Sequence, residues 1–152
     1  MLAKSKKAKG KRLENFVSKR LDKIFVYSYR RADSGSGKFH KEDVTLPSNI
    51  PIFIECKKHA KENIKGWWKQ TIEGCPVSKM PVLVYELDRW REPMVLCRFS
   101  DILWLLSGGS RVKMPLHIHM NWYEFEQLLW DKYKPEERKN VLKLSKKSPV
   151  KY

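Results

Sequence analysis

The apolar positions fall into two periods that alternate along the chain. Leu13, Phe16, Val17, Leu21 and Ile24 recur three or four residues apart and predict an amphipathic helix. At about 100° per residue, Glu14 lies about 80° from the centre of that stripe, on the border of its buried face. Residues 25–29, rich in aromatic and β-branched side chains, then predict a strand. Residues 30–38 carry Ser34, Gly35, Ser36 and Gly37 and predict a flexible loop. Residues 43–46 predict a second strand, and residues 50–57 a third whose apolar start marks it as central and buried. Alternation along this third strand puts Ile52, Ile54 and Cys56 on one face and Phe53, Glu55 and Lys57 on the other.

Ile64, Trp67, Trp68, Thr71 and Ile72 predict the apolar side of a second helix. Residues 80–87 and 93–99 read as two further strands. Ser100 is placed to cap a short helix that Gly108 and Gly109 stop, and Asn121 with Glu124 resembles the start of a last helix. The predicted order is α-β-β-β-α-β-β-α-α, an α/β domain around a mixed sheet. No internal repeat is present.

The chain has 152 residues, enough for one domain, and 41% of them are hydrophobic, so a packed core is within reach. Charge is the outlier. Lys and Arg number 32 against 17 acids, a net +15, which predicts a polyanionic partner, nucleic acid by default. The excess lies at the ends: residues 1–31 hold 11 Lys/Arg and 2 acids, and residues 132–152 hold 8 and 2. The middle, 32–131, carries 13 of each. The chain therefore divides into a flexible basic arm over 1–9, a single domain over 10–131 and a basic tail over 132–152. The ends are expected to touch phosphates without reading sequence. No apolar run is long enough to span a bilayer, and the basic start has no apolar stretch behind it. Cytoplasmic residence is the expectation, in the host cell if the source is a phage.

Three cysteines, Cys56, Cys75 and Cys97, show no Cys-x-x-Cys spacing, and His117 and His119 have no cysteine pair near them. Neither a disulfide scaffold nor a zinc site is predicted. The tryptophans, at helical spacing, read as core or dimer interface.

The informative chemistry lies in the central strand. Buried strands rarely end in charge, yet this one delivers Glu55 and Lys57 onto one face beside a strand that begins with Asp43. Two carboxylates with one ammonium suit a hard divalent cation, with the Cys56 backbone carbonyl as a further oxygen ligand. Lys57 would orient water or stabilise charge on a phosphate. A surface ion pair at a strand end is the plainer alternative, as is pairing of Glu14 with a nearby lysine. Lys9, Lys11 and Arg12 run into the first helix. With Arg30, Arg31 and Lys38 beside the loop, they are candidate contacts to the DNA backbone. Gln70, opposite the Trp67/Trp68 stripe, is a weaker one.

These residues, in this order, resemble the PD-(D/E)XK nucleases and among them the archaeal-type Holliday junction resolvases. The likeness spans residues 10–74. It takes in a helix beginning Gly-Lys-Arg-Leu-Glu14, a loop with Ser34-Gly35 and Ser36-Gly37, Asp43-Val44, and Ile54-Glu55-Cys56-Lys57. Glu42 stands where the family has proline. The resemblance implies a restriction-endonuclease-like core with a mixed sheet flanked by helices. It implies Glu14, Asp43, Glu55 and Lys57 as catalytic residues and Ser34 and Ser36 as substrate contacts. It further implies Mg²⁺ (Mn²⁺ substituting) as cofactor and a homodimer that resolves four-way DNA junctions, in recombination or repair. A nicking or restriction-type endonuclease and a non-catalytic basic nucleic-acid-binding module are the alternatives.

Overall fold

In the computed structural model, which describes residues 2–25, 33–34, 43–112 and 114–134, six strands form one sheet in chain order. They are β1 (Asp33–Ser34), β2 (Val44–Thr45), β3 (Ile52–His59), β4 (Met80–Leu87), β5 (Met94–Arg98) and β6 (His117–Asn121). The β3–β4 pair is parallel and the other neighbours are antiparallel, so the sheet is mixed as expected. A parallel pair needs a crossover, and helix α2 (Ile64–Gly74) supplies it.

Helices α1 (Leu2–Phe25), α3 (Phe99–Ser107) and α4 (Trp122–Tyr133) contribute to the core on one face of the sheet. There Val17, Leu21 and Ile24 of α1 join Ile54 and Cys56 of β3, Ile102 of α3 and Phe125 of α4. The other face is covered by α2, whose Trp67 joins Leu83, Tyr85 and Leu96. Approach of α2 to β3 is close at its C-terminal end: a Cβ on Gly74 would stand 3.3 Å from the Phe53 ring. Across the first core, Arg20 of α1 grips Glu126 of α4 through two hydrogen bonds of 2.7 Å.

Several expectations change. Helix α1 begins at Leu2, so residues 2–9 continue the helix where a flexible arm was expected. The stretch is rich in Ala and Lys and contains no proline to end the helix. Phe25 closes α1 instead of opening a strand, because its ring is buried edge-on against Tyr133. The expected strand beyond it, 26–29, lies outside the described residues. Asp33 and Ser34, read as loop, pair with β2. Strand β6 was missing from the predicted order. Ser100 does not cap α3: the cap position falls two residues earlier, on Arg98, and Ser100 is buried in the first turn. Gly108 does end α3, at φ 68°. Asn121 does cap α4, its side chain accepting the Glu124 N–H at 2.9 Å.

Candidate active site

Antiparallel pairing of β2 with β3 sets Val44 opposite Ile54, which carries Asp43 to the middle of the central strand. Its N–H donates to the Ile54 carbonyl at 3.0 Å, and its Oδ2 accepts the Cys56 N–H at 2.7 Å. Alternation sends Ile54 and Cys56 into the core and turns Glu55 and Lys57 to the other side. Lys57 Nζ lies 3.0 Å from Glu55 Oε1, two residues along the same face. Glu55 is buried although it is charged.

Helix α1 adds Glu14, half-buried at the border of its apolar stripe as its phase requires. Lys11, one turn earlier, stands 3.9 Å from it. That contact is the helix-surface pairing expected as the plainer role, but Glu14 also feels the rest of the cluster. Burial lifts its carboxyl above the ordinary glutamate range, the charges of Asp43 and Glu55 lift it further, and Lys11 and Lys57 oppose them.

The same balance holds across the site. Burial raises Asp43, partly offset by the Cys56 N–H and by Lys57. Burial also raises Glu55, with Asp43 adding to the rise and Lys57 opposing it. The Cys56 thiol, buried beneath, is pushed far up by burial and then by the surrounding carboxylates. Three acids thus share one region with Lys57, partly withdrawn from water. The donor set consists of hard oxygens in net negative surroundings, which fits a small divalent cation. Among the described residues no three His, Cys, Asp or Glu side chains form a ready-made metal cage. Mg²⁺ does not need one, because it is commonly held by one or two carboxylates with water and substrate phosphates.

Of the candidate DNA contacts, Lys9 is held at 2.6 Å by Asp88. Arg12 is exposed on α1, and Gln70 is exposed on α2 opposite the buried Trp67. Ser34 belongs to β1, opposite Val44. Arg30, Arg31, Ser36 and Lys38 lie outside the described residues.

Sequence reading missed the acids at the end of β4. Glu86 holds Lys58 at 2.6 Å and Asp88 holds Lys9 at 2.6 Å, so both lysines already carry acidic partners. The signal is the parallel register that sets Lys58 beside Glu86, and no spacing within one strand reveals it.

Among the described residues no helix is long and apolar enough to cross a membrane. No curated protein and no solved structure matches the chain. The family described as "Phage putative PDDEXK endonuclease" matches residues 5–132. That match takes in Glu14, Asp43, the Glu55-Cys56-Lys57 segment and the whole sheet, whose mixed, helix-flanked arrangement is restriction-endonuclease-like. The chain therefore belongs to this phage PDDEXK endonuclease family.

Proposed function

We propose that the chain is a metal-dependent endodeoxyribonuclease that cuts branched DNA and resolves four-way junctions. The observation that carries the site assignment is the meeting of Asp43, Glu55 and Lys57 where the start of β2 pairs with the middle of β3. Asp43, Glu55 and the Cys56 carbonyl would hold Mg²⁺, with Mn²⁺ able to substitute. When bound, the cation supplies positive charge against the scissile phosphate and makes water acidic enough to attack at neutral pH.

The chain's own groups do the rest. The Cys56 N–H fixes the rotation of the Asp43 carboxylate. Glu55 holds Lys57 close to the site, where its ammonium faces charge developing on the phosphate. Glu14 adds a third negative charge at the rim and strengthens the attraction for a cation. Exposed cations on α1, Arg12 among them, would steer the DNA backbone. Junction preference rests on the likeness of residues 10–74 to junction resolvases, and symmetric cuts across a four-way junction require two chains.

The experiment is cleavage of an end-labelled synthetic four-way junction beside linear duplex of the same sequence, with Mg²⁺ and with EDTA. Paired incisions in the junction with Mg²⁺ alone are expected. Equal cutting of both substrates would replace the resolvase with a general endonuclease. Retention of the junction without any cleavage would leave a binding module.

A further inference from the structure

Strand β6 ends the sheet, and among the described residues its outer edge has no strand beside it. Edge strands normally carry charge or proline that prevents pairing with another chain. This one, His-Ile-His-Met-Asn, carries neither. The surroundings repeat the pattern. Val112, Met114 and Leu116, in the segment that leads into β6, are between 40% and 60% exposed. From residue 102 to residue 123 the only Lys, Arg, Asp or Glu side chains are Arg111 and Lys113.

That scarcity stands out in a chain with a net charge of +15. A polyanion gains little from an uncharged surface, so DNA is the wrong occupant. Two cationic copies repel one another wherever their basic surfaces meet, so self-association needs an uncharged face. An antiparallel pair of identical edges is also self-complementary about a two-fold axis, since each strand offers its partner the same row of donors and acceptors. We infer that β6, with the exposed Met114 and Leu116 in the segment that leads into it, is the surface through which two copies of this chain associate, joining their sheets edge to edge. The inference deepens the two-chain requirement of the proposed resolvase by naming the surface. Its physical basis does not depend on cleavage.

The test is the mass of the full chain in solution by light scattering, without DNA, from about 1 to 100 μM. The expected result is a rise from one chain of 18.1 kDa to two. Met114→Glu and Leu116→Glu together should hold the protein at one chain, because a dimer would bury two new carboxylates on each copy. A wild-type protein that stays monomeric throughout, or a double variant that still dimerises, overturns the assignment. Hydrogen exchange on the unaltered protein gives a second readout should the variant misfold. Amides of residues 117–121 should be slowed at high concentration relative to low, and equal exchange at both overturns the surface. Cleavage is assayed separately, so a dimer without nuclease activity and a nuclease without a dimer are distinguishable outcomes.

Discussion

The Cys56 N–H donates to Oδ2 of Asp43 at 2.7 Å, so the acid at the start of β2 is locked to the backbone of β3 between Glu55 and Lys57. Asp43→Asn keeps an acceptor oxygen for this bond and removes only the charge. It should lower cleavage on the order of 10³-fold, while DNA affinity stays level or rises slightly because one repulsive charge is gone. Glu55→Gln should behave alike. Lys57→Ala should lose most cleavage yet still bind the metal. Anisotropy with labelled DNA beside a cleavage assay checks all three, and full Mg²⁺-dependent activity in Asp43→Asn would remove Asp43 from the site.

Metal binding should also register without turnover. Mg²⁺ at about 100 times its dissociation constant adds about 2.7 kcal/mol to stability, a clear upward shift in Tm. Asp43→Asn should show little or no shift at the same concentration. Equal shifts in the two proteins would mean that the ion binds elsewhere.

The three carboxylates make stability depend on pH in a definite direction. Burial holds Glu14, Asp43 and Glu55 above their ordinary values in the folded chain, so the folded state binds protons more tightly than the unfolded state. Their cost is absent below the ordinary carboxylate range and fully present once pH exceeds the raised folded values. In EDTA, Tm should therefore fall as pH rises across that window. Glu14→Gln should flatten the fall and stabilise the protein near neutrality by roughly 1 kcal/mol, about 2–4 °C. An unchanged pH profile in Glu14→Gln would separate Glu14 from the cluster.

Arg20 and Glu126 join α1 to α4 through two hydrogen bonds, and Glu126 is buried. Arg20→Ala leaves that carboxylate without its cation and should cost about 3 kcal/mol. Adding Glu126→Gln should recover part of the loss. Urea titrations of the single and double variants measure both effects, and a neutral Arg20→Ala would mean that water already satisfies Glu126.

Deleting residues 1–8 removes Lys4, Lys6 and Lys7. If these touch phosphates, affinity should fall similarly for all DNA shapes, and each lost contact should flatten the log–log salt slope by about 0.9 on duplex DNA. Preference for branched DNA should persist. Loss of that preference with an unaltered slope would make these residues readers of shape.

Elements whose apolar period is long and clear were legible, as in α1 around Leu13–Ile24, α2 and β4. So was the meeting of Asp43 with Glu55, because a hairpin between neighbouring strands brings close what alternation had already turned to one side. What escaped depends on partners distant in sequence. Phe25 looks like the first residue of a strand until Tyr133, more than a hundred residues later, packs on its ring. The β6 segment lacks β-branched runs and is a strand because β5 pairs with it at five positions. Lys9 read as a DNA contact because Asp88 faces it only once β4 lies in place.

The contact between Gly74 and Phe53 sets a limit on how this chain can vary. Replacing a glycine near a helix end with alanine is an ordinary route to greater thermostability, since it restricts the unfolded chain. Here the added methyl would press a fully buried ring at 3.3 Å. That ring belongs to the residue just before Ile54, whose carbonyl anchors Asp43. An improvement in helix propensity on α2 therefore requires the Phe53 ring to give way beside the strand position that anchors Asp43. The constraint on position 74 is steric and comes from a buried ring on the neighbouring strand.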